Sequence, residues 1–236
     1  MIVDDIYSEN DKRKLIEFNM RERTILSLKE SLQNAEKKPG IIAEFKRKSP
    51  SGFRNKFNTD ILKYFNSIKE TIAGISILTE PHYFGGDPLD ARAVQCYSKP
   101  ILIKDFISSR AMVKSSFMAG GDVFLLICDF LDYSTIKDLV QYGGSLGMEA
   151  LVEVHDPNRI KNIFPAENVL IGYNRRNLRT LKMDDRAEDV YDSLKSFGLP
   201  LILESGITSE NIGKLHTERY SGLLIGSSIL SGDEIR

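Results

Sequence analysis

The stretch IIAEFKRKSP, residues 41–50, opens on three apolar residues and ends on charge. It follows a Pro39-Gly40 stop, and an unbroken apolar start fits a strand buried on both faces. Glu44 and Lys46 straddle Phe45. Side chains alternate along a strand, so both project to the same side. The same rhythm returns in AGISILTE (73–80), ILIKD (101–105), VFLLICD (123–129), GMEALVEV (147–154), VLIGYN (169–174), PLILESG (200–206) and GLLIGSS (222–228). Successive runs lie about 20 to 30 residues apart, roughly the length of one strand–helix unit. A doubly wound open sheet has that period too. Eight is the barrel number, however, and no GxGxxG follows the first strand, which favours a closed (βα)8 TIM barrel.

The intervening stretches supply helix signals. Thr59 is an expected cap for a helix whose apolar stripe is Leu62, Phe65, Ile68 and Ile72. The glycine pairs Gly120-Gly121 and Gly143-Gly144 are expected stops. Asp156-Pro157 pairs a cap with a proline at the first helical position, and Thr208 or Ser209 is expected to cap a helix carrying Ile212 and Leu215. Residues 1–236 are read as one domain, with 1–38 an N-terminal helical extension. In that extension Leu15, Ile16 and Phe18, then Ile25, Leu26, Leu28 and Leu32, follow helical spacing. Such a stripe needs a surface to cover, either a barrel end or a partner.

Composition narrows the function. Lys and Arg total 32 against 33 acidic residues, so a net charge of -1 gives no nucleic-acid footprint. No segment reaches the roughly 20 apolar residues of a membrane span. The start, MIVDDIYSEN, is acidic and unlike a secretory signal. Cys96 and Cys128 have neither metal-ligand nor CxxC spacing, and a reduced, cytoplasmic setting is expected. His82, His155 and His216 are far apart and form no HExxH, so no metal is expected.

Several strands end in groups that a buried run should not carry. Glu44, Lys46, Lys104, Glu153, Asn174, Glu204 and Ser205 would share one rim if the sheet closes, at the mouth where such barrels hold their sites. Glu153 sits between apolar residues, and a carboxylate there needs a partner or a perturbed pKa. Ser205-Gly206 and Gly226-Ser227 follow the seventh and eighth strands, the frequent phosphate position of this architecture. Ser49 and Arg176 are further donors. Lysines and carboxylates point to acid–base chemistry, or to a Schiff base on a lysine, and residue chemistry leaves both open.

The ordered words IIAEFKRKSPSG, TEPHYFGG, PILIKDFI, ALVEVHD, GYNRRNL, LILESGI and GLLIGSSI resemble those of the indole-3-glycerol-phosphate synthase family over nearly the whole chain. The resemblance implies a (βα)8 barrel with extra N-terminal helices over the mouth. It implies ring closure of 1-(2-carboxyphenylamino)-1-deoxyribulose 5-phosphate to indole-3-glycerol phosphate with loss of CO2 and water, and no cofactor. Lys104 then resembles the general acid. Glu153 resembles the carboxylate that handles the aniline proton. Glu44 and Lys46 resemble the pair that orders the substrate. Asn174 and Glu204 would hold sugar hydroxyls or orient the catalytic groups. Ser49, Arg176 and Ser205 would bind substrate, and Ser205, Gly206, Gly226 and Ser227 would cradle the phosphate. Phe84, Phe106 and Leu126 are expected apolar walls. Asn177 stands where the family usually has an aspartate, and Tyr173 where it has a smaller aliphatic residue. Two rivals remain. One is phosphoribosylanthranilate isomerase, which needs a cysteine–aspartate arrangement; the other is a non-catalytic barrel scaffold. The partner is a small sugar phosphate, with no nucleic acid or membrane, and the chain is read as a monomer or weak homo-oligomer.

Overall fold

The computed structural model describes residues 2–55, 60–183 and 187–232. The eight apolar runs form eight parallel strands: β1 (Gly40–Phe45), β2 (Gly74–Leu78), β3 (Ile101–Lys104), β4 (Val123–Ile127), β5 (Glu149–Val154), β6 (Val169–Asn174), β7 (Leu201–Glu204) and β8 (Gly222–Ile225). Each pairs with the next, and β8 returns to β1 with Ile42 opposite Leu224, closing the barrel. Ile42, Leu102, Leu125, Leu151, Leu170, Ile202 and Leu224 fill the interior. The alternate residues face an outer layer of helices: α3 (Ile61–Ile68), α4 (Pro88–Ala93), α5 (Arg110–Met118), α6 (Tyr133–Ser145), α7 (Ala187–Lys195) and α8 (Ser227–Leu230). No helix among the described residues is long and apolar enough to cross a membrane.

The N-terminal extension serves both ends of the barrel. α1 (Ile2–Glu9) lies over the mouth, where Ile2 and Val3 line the same cavity as Ser205. α2 (Leu28–Gln33) plugs the opposite end. A Cβ on Gly40, Gly74 or Gly222 would come within 2.8, 2.8 and 2.9 Å of Leu32 or Leu28, so these glycines make the seat for the plug. Glu149, at the start of β5, accepts from Ser27 Oγ (2.6 Å) and from the backbone N–H of Leu28 (2.8 Å) and Lys29 (3.3 Å). A buried carboxylate thus satisfies donors that a helix start leaves free.

The helical spacing around Leu15, Ile16 and Phe18 does not give a helix. Beyond a short 3-10 turn at Asn10–Lys12, residues 13–26 run without regular structure down the barrel flank. The chain must travel from mouth to floor, and an extended backbone covers about 3.3 Å per residue against 1.5 Å in a helix. Arginines fix the strap at both ends. Arg13 makes a two-pronged bond to Asp105 just after β3 (2.7 Å each), and Arg21 binds Asp122 just before β4 at 2.6 Å.

Other local expectations shift. Thr59 lies outside the described residues, and Asp60 caps α3 by accepting from Leu62 N (3.0 Å). The buried stripe is Ile61, Tyr64 and Phe65, while Leu62 is exposed. Gly143 and Gly144 lie inside α6 and do not end it. A Cβ on Gly143 would meet the Phe124 ring at 2.3 Å, so that glycine is there for close strand–helix packing. After β5 and β7 only 3-10 turns form, at Pro157–Asn162, Ile212–Lys214 and Thr217–Arg219. Asp156 does cap the first of these, whereas neither Thr208 nor Ser209 caps a helix carrying Ile212 and Leu215.

Candidate active site

Parallel strands deliver all their C-terminal ends to one rim. Glu44, Lys104, Glu153 and Glu204 form the top layer of the barrel, each two residues beyond an interior apolar residue: Ile42, Leu102, Leu151 and Ile202. Lys104 stands among three carboxylates. Its Nζ lies 2.5 Å from Glu204 Oε2, 3.4 Å from Glu153 Oε2 and 3.8 Å from Glu44 Oε2. Glu44 is shared, since its other oxygen accepts from Lys46 Nζ at 2.5 Å. Asn174 Nδ2 donates to Glu153 Oε1 at 2.9 Å, and Asn174 Oδ1 accepts from Arg176 N at 2.9 Å.

The electrostatics follow from burial and crowding. Burial alone would lower the Lys104 pKa, but Glu204, Glu153 and Glu44 outweigh it and hold the ammonium well above its usual range. Burial pushes the Glu204 carboxyl up to about 8; Lys104 opposes that rise and Glu153 adds to it. Burial works on Glu44 in the same direction, yet Lys46 and Lys104 together keep it below the ordinary carboxylate range. The result is a fixed ammonium beside Glu204, a carboxyl that favours holding its proton.

A cavity of about 420 Å³ opens above this layer. Glu44, Lys46, Lys104, Glu153 and Asn174 line its floor side, with Ser49 and Arg176 from the loops. Ser205, Gly206, Gly226 and Ser227 also line it, so the two glycine–serine segments do come together. Glu204 is absent from the wall. It is fully buried beneath Lys104, and only because β6 carries Gly172, whose Cβ would come 2.2 Å from Glu204 Oε1. Glu204 thus meets Lys104 and does not line the cavity.

The phosphate-type segments are shaped by backbone. Ser205 (φ +70°) and Gly206 (φ +65°) both adopt the left-handed conformation, uncommon for a residue with a side chain. Gly226 has a packing reason as well: a Cβ there would stand 2.5 Å from Glu44 Oε1 and 2.9 Å from Lys46 Nζ. Phe84 and Phe106 line the cavity as expected. Leu126 does not, because it points into the outer helix layer; Leu125 and Ile127, one residue either side, face the cavity.

The two departures from the family pattern are accommodated. Asn177 Oδ1 accepts from Arg179 N (2.8 Å) and Thr180 N (3.0 Å), so it shapes the loop after β6 without a charge. Tyr173 is buried in the outer layer and does not touch the mouth cavity. Sequence reasoning passed over Glu80, whose carboxylate accepts from the N–H groups of His82 (2.8 Å), Tyr83 (2.7 Å) and Phe84 (3.0 Å) and so fixes the loop that presents Phe84. It also passed over Asp105, which anchors the strap through Arg13. Both are charges at strand ends, the same signal that marked Lys104. Cys128 is buried in the outer layer and Cys96 is exposed, and neither lines the mouth.

Fold and site together define a (βα)8-barrel enzyme with a lysine–carboxylate cluster at the strand C-termini. The chain belongs to the indole-3-glycerol phosphate synthase family, whose model matches residues 4–236. An indole-3-glycerol phosphate synthase of Picrophilus torridus is 57% identical over 237 residues, spanning 100% of this chain and 94% of its own. One of Thermoplasma volcanium is 42% identical over 236 residues, spanning 99% and 95%. Among solved structures, KGPDC from Streptococcus mutans superposes with a TM-score of 0.61 at 13% identity, covering 82% of this chain and 90% of that one. That last likeness is one of fold alone. The chain is therefore a carboxy-lyase of tryptophan biosynthesis.

Proposed function

We propose that the mouth cavity closes the indole ring of 1-(2-carboxyphenylamino)-1-deoxyribulose 5-phosphate, with Lys104 as general acid and Glu153 as base. One observation carries the assignment: the Lys104 ammonium, ringed by carboxylates, faces a cavity also lined by two glycine–serine loops. The ring carbon that bears the carboxylate attacks the ribulose carbonyl carbon. Lys104 gives its proton to the carbonyl oxygen as charge develops there. Loss of CO2 returns the electron pair to the ring. Lys104, reprotonated from solvent, gives a second proton to the new hydroxyl, which leaves as water, while Glu153 takes a proton from the sugar C1 methylene; the nitrogen keeps its hydrogen and the C1–C2 double bond completes the indole.

The remaining residues supply placement. Ser205, Gly206, Gly226 and Ser227 cradle the phosphate with backbone N–H and hydroxyl donors, and Ser49 and Arg176 add to it. Lys46, paired with Glu44, attracts the substrate carboxylate. Phe84, Phe106, Leu125 and Ile127 hold the aromatic ring folded back over the sugar chain, so that reacting carbons meet in a defined geometry. Glu204 and Asn174 orient Lys104 and Glu153 from below and beside.

A purified sample supplied with this substrate is expected to generate the ultraviolet absorbance of an indole. Phosphoribosylanthranilate in a parallel cuvette is expected to give no isomerisation, because no cysteine reaches the mouth. Isomerisation without indole formation would sink the proposal.

A further inference from the structure

Phe106 lines the mouth cavity two residues beyond Lys104, so residues 104–106 carry both the ammonium and part of the aromatic wall. The 3-10 turn and the start of the strap grip this segment. Arg13 meets Asp105 with both arms of its guanidinium, Nη1 to Oδ1 and Nη2 to Oδ2, at 2.7 Å each. The same carboxylate accepts from Phe106 N at 2.8 Å and from Thr79 Oγ1 at 2.5 Å. Arg13 Nη2 also donates to Thr79 O at 3.2 Å, and Thr79 N donates to Lys104 O at 3.2 Å. Asn10 Nδ2 donates to Phe106 O at 2.6 Å and to Ser108 Oγ at 3.0 Å. Arg13 N donates to Asn10 O at 3.1 Å, which closes the turn that holds the two side chains together.

Anchoring a strap calls for less. Its other anchor, Arg21, binds Asp122 at 2.6 Å and the carbonyls of Phe117 (2.8 Å) and Gly121 (2.7 Å), all ahead of β4, and none of these three residues lines the mouth cavity. The Arg13 bonds converge instead on the chain that carries Lys104. The β3–β4 ladder stops at Ile103, and β3 itself ends at Lys104. Past that point backbone polar groups need other partners, and the side chains of Asp105 and Asn10 take the N–H and the carbonyl of Phe106. A guanidinium–carboxylate fork fixes direction as well as distance, which a single ammonium cannot do.

We propose that Arg13 is a positioning residue for ring closure: with Asp105 it locks the end of β3, and so sets where the Lys104 ammonium and the Phe106 ring stand. This rests on the general-acid role given to Lys104 above. Arg13 does not line the mouth cavity, so it acts through Asp105. The N-terminal strap thereby takes part in the geometry of the acid besides covering the barrel flank.

The test sets Arg13→Lys against Arg21→Lys and Lys104→Met in the full-length chain. Both arginine variants are expected to lower the melting temperature. Arg13→Lys should also lower kcat by about tenfold, because a small misplacement of a reacting group is costly, whereas Arg21→Lys should keep kcat within about twofold. Inorganic phosphate should bind Arg13→Lys as well as it binds the unaltered protein, because the glycine–serine loops follow β7 and β8. Unaltered kcat in Arg13→Lys, beside a disabled Lys104→Met, would overturn the role of Arg13 alone. Equal falls in kcat in the two arginine variants would make both mere anchors of the fold and overturn it too. If Arg13→Lys does not fold, Thr79→Val decides. It removes one donor to Asp105 and should lower kcat about threefold, and an unaltered kcat would overturn the proposal. Full activity in Lys104→Met would remove the role of Lys104 and this one with it.

Discussion

Lys104 brings one positive charge to a pocket that holds three carboxylates, and the surplus decides how the residues titrate. Glu44 is neutralised by Lys46, which leaves Glu153 and Glu204 to compete for one ammonium. Burial, reinforced by Glu153, pushes Glu204 up to about 8, against an unfolded value of about 4.3. Between those pH values the folded chain binds a proton that the unfolded chain lacks, so stability falls as pH rises across the window. Thermal melts of Glu204→Gln at several pH values should show a shallower decline there than the unaltered protein. A parallel decline in both would mean Glu204 is ionised throughout. Gly226 gives a steric test. Its missing Cβ leaves room for the Glu44–Lys46 pair, and Gly226→Ala is expected to raise KM and cut kcat by about tenfold or more through displacement of that pair. Steady-state kinetics equal to those of the unaltered protein would show that the pair yields without consequence.

At the level of the element, the N-terminal extension is a two-ended clamp: α1 on the mouth, α2 in the floor, and an extended strap between them. Leu28 and Leu32 are almost fully buried against glycines at the strand starts. Truncating either to alanine leaves a void that the barrel floor cannot collapse to fill, with an expected loss of about 2–5 kcal/mol. Urea denaturation should register it, with kcat nearly unchanged below the transition because the mouth is at the other end. A large drop in kcat without a shift in the midpoint would contradict this division of labour. The strap shows where periodicity misleads. Leu15, Ile16 and Phe18 have the spacing of a helix, but the distance between Asp105 and Asp122 on opposite rims demands extended chain, and the arginines that meet those aspartates hold it so.

Across the whole molecule, the barrel was legible because buried parallel strands write themselves as apolar runs ending in charge. Once the sheet closes, strand ordinals alone place Lys104, Glu153 and the two glycine–serine loops around one cavity. What stayed hidden depended on which face a residue presents. Leu126 and Leu125 are equivalent in composition, and only strand phase puts the second in the cavity. Gly143 reads as a helix stop until the Phe124 ring is seen filling its place.

The decisive measurement is single-turnover ring closure by Lys104→Met, with substrate binding followed in the same sample. Removing the ammonium that meets Glu44, Glu153 and Glu204 should slow indole formation by about 10²–10⁴-fold while the phosphate still binds. Ring closure at the unaltered rate would show that the carbonyl oxygen receives its proton from elsewhere, and the assignment of the mouth cluster would be wrong.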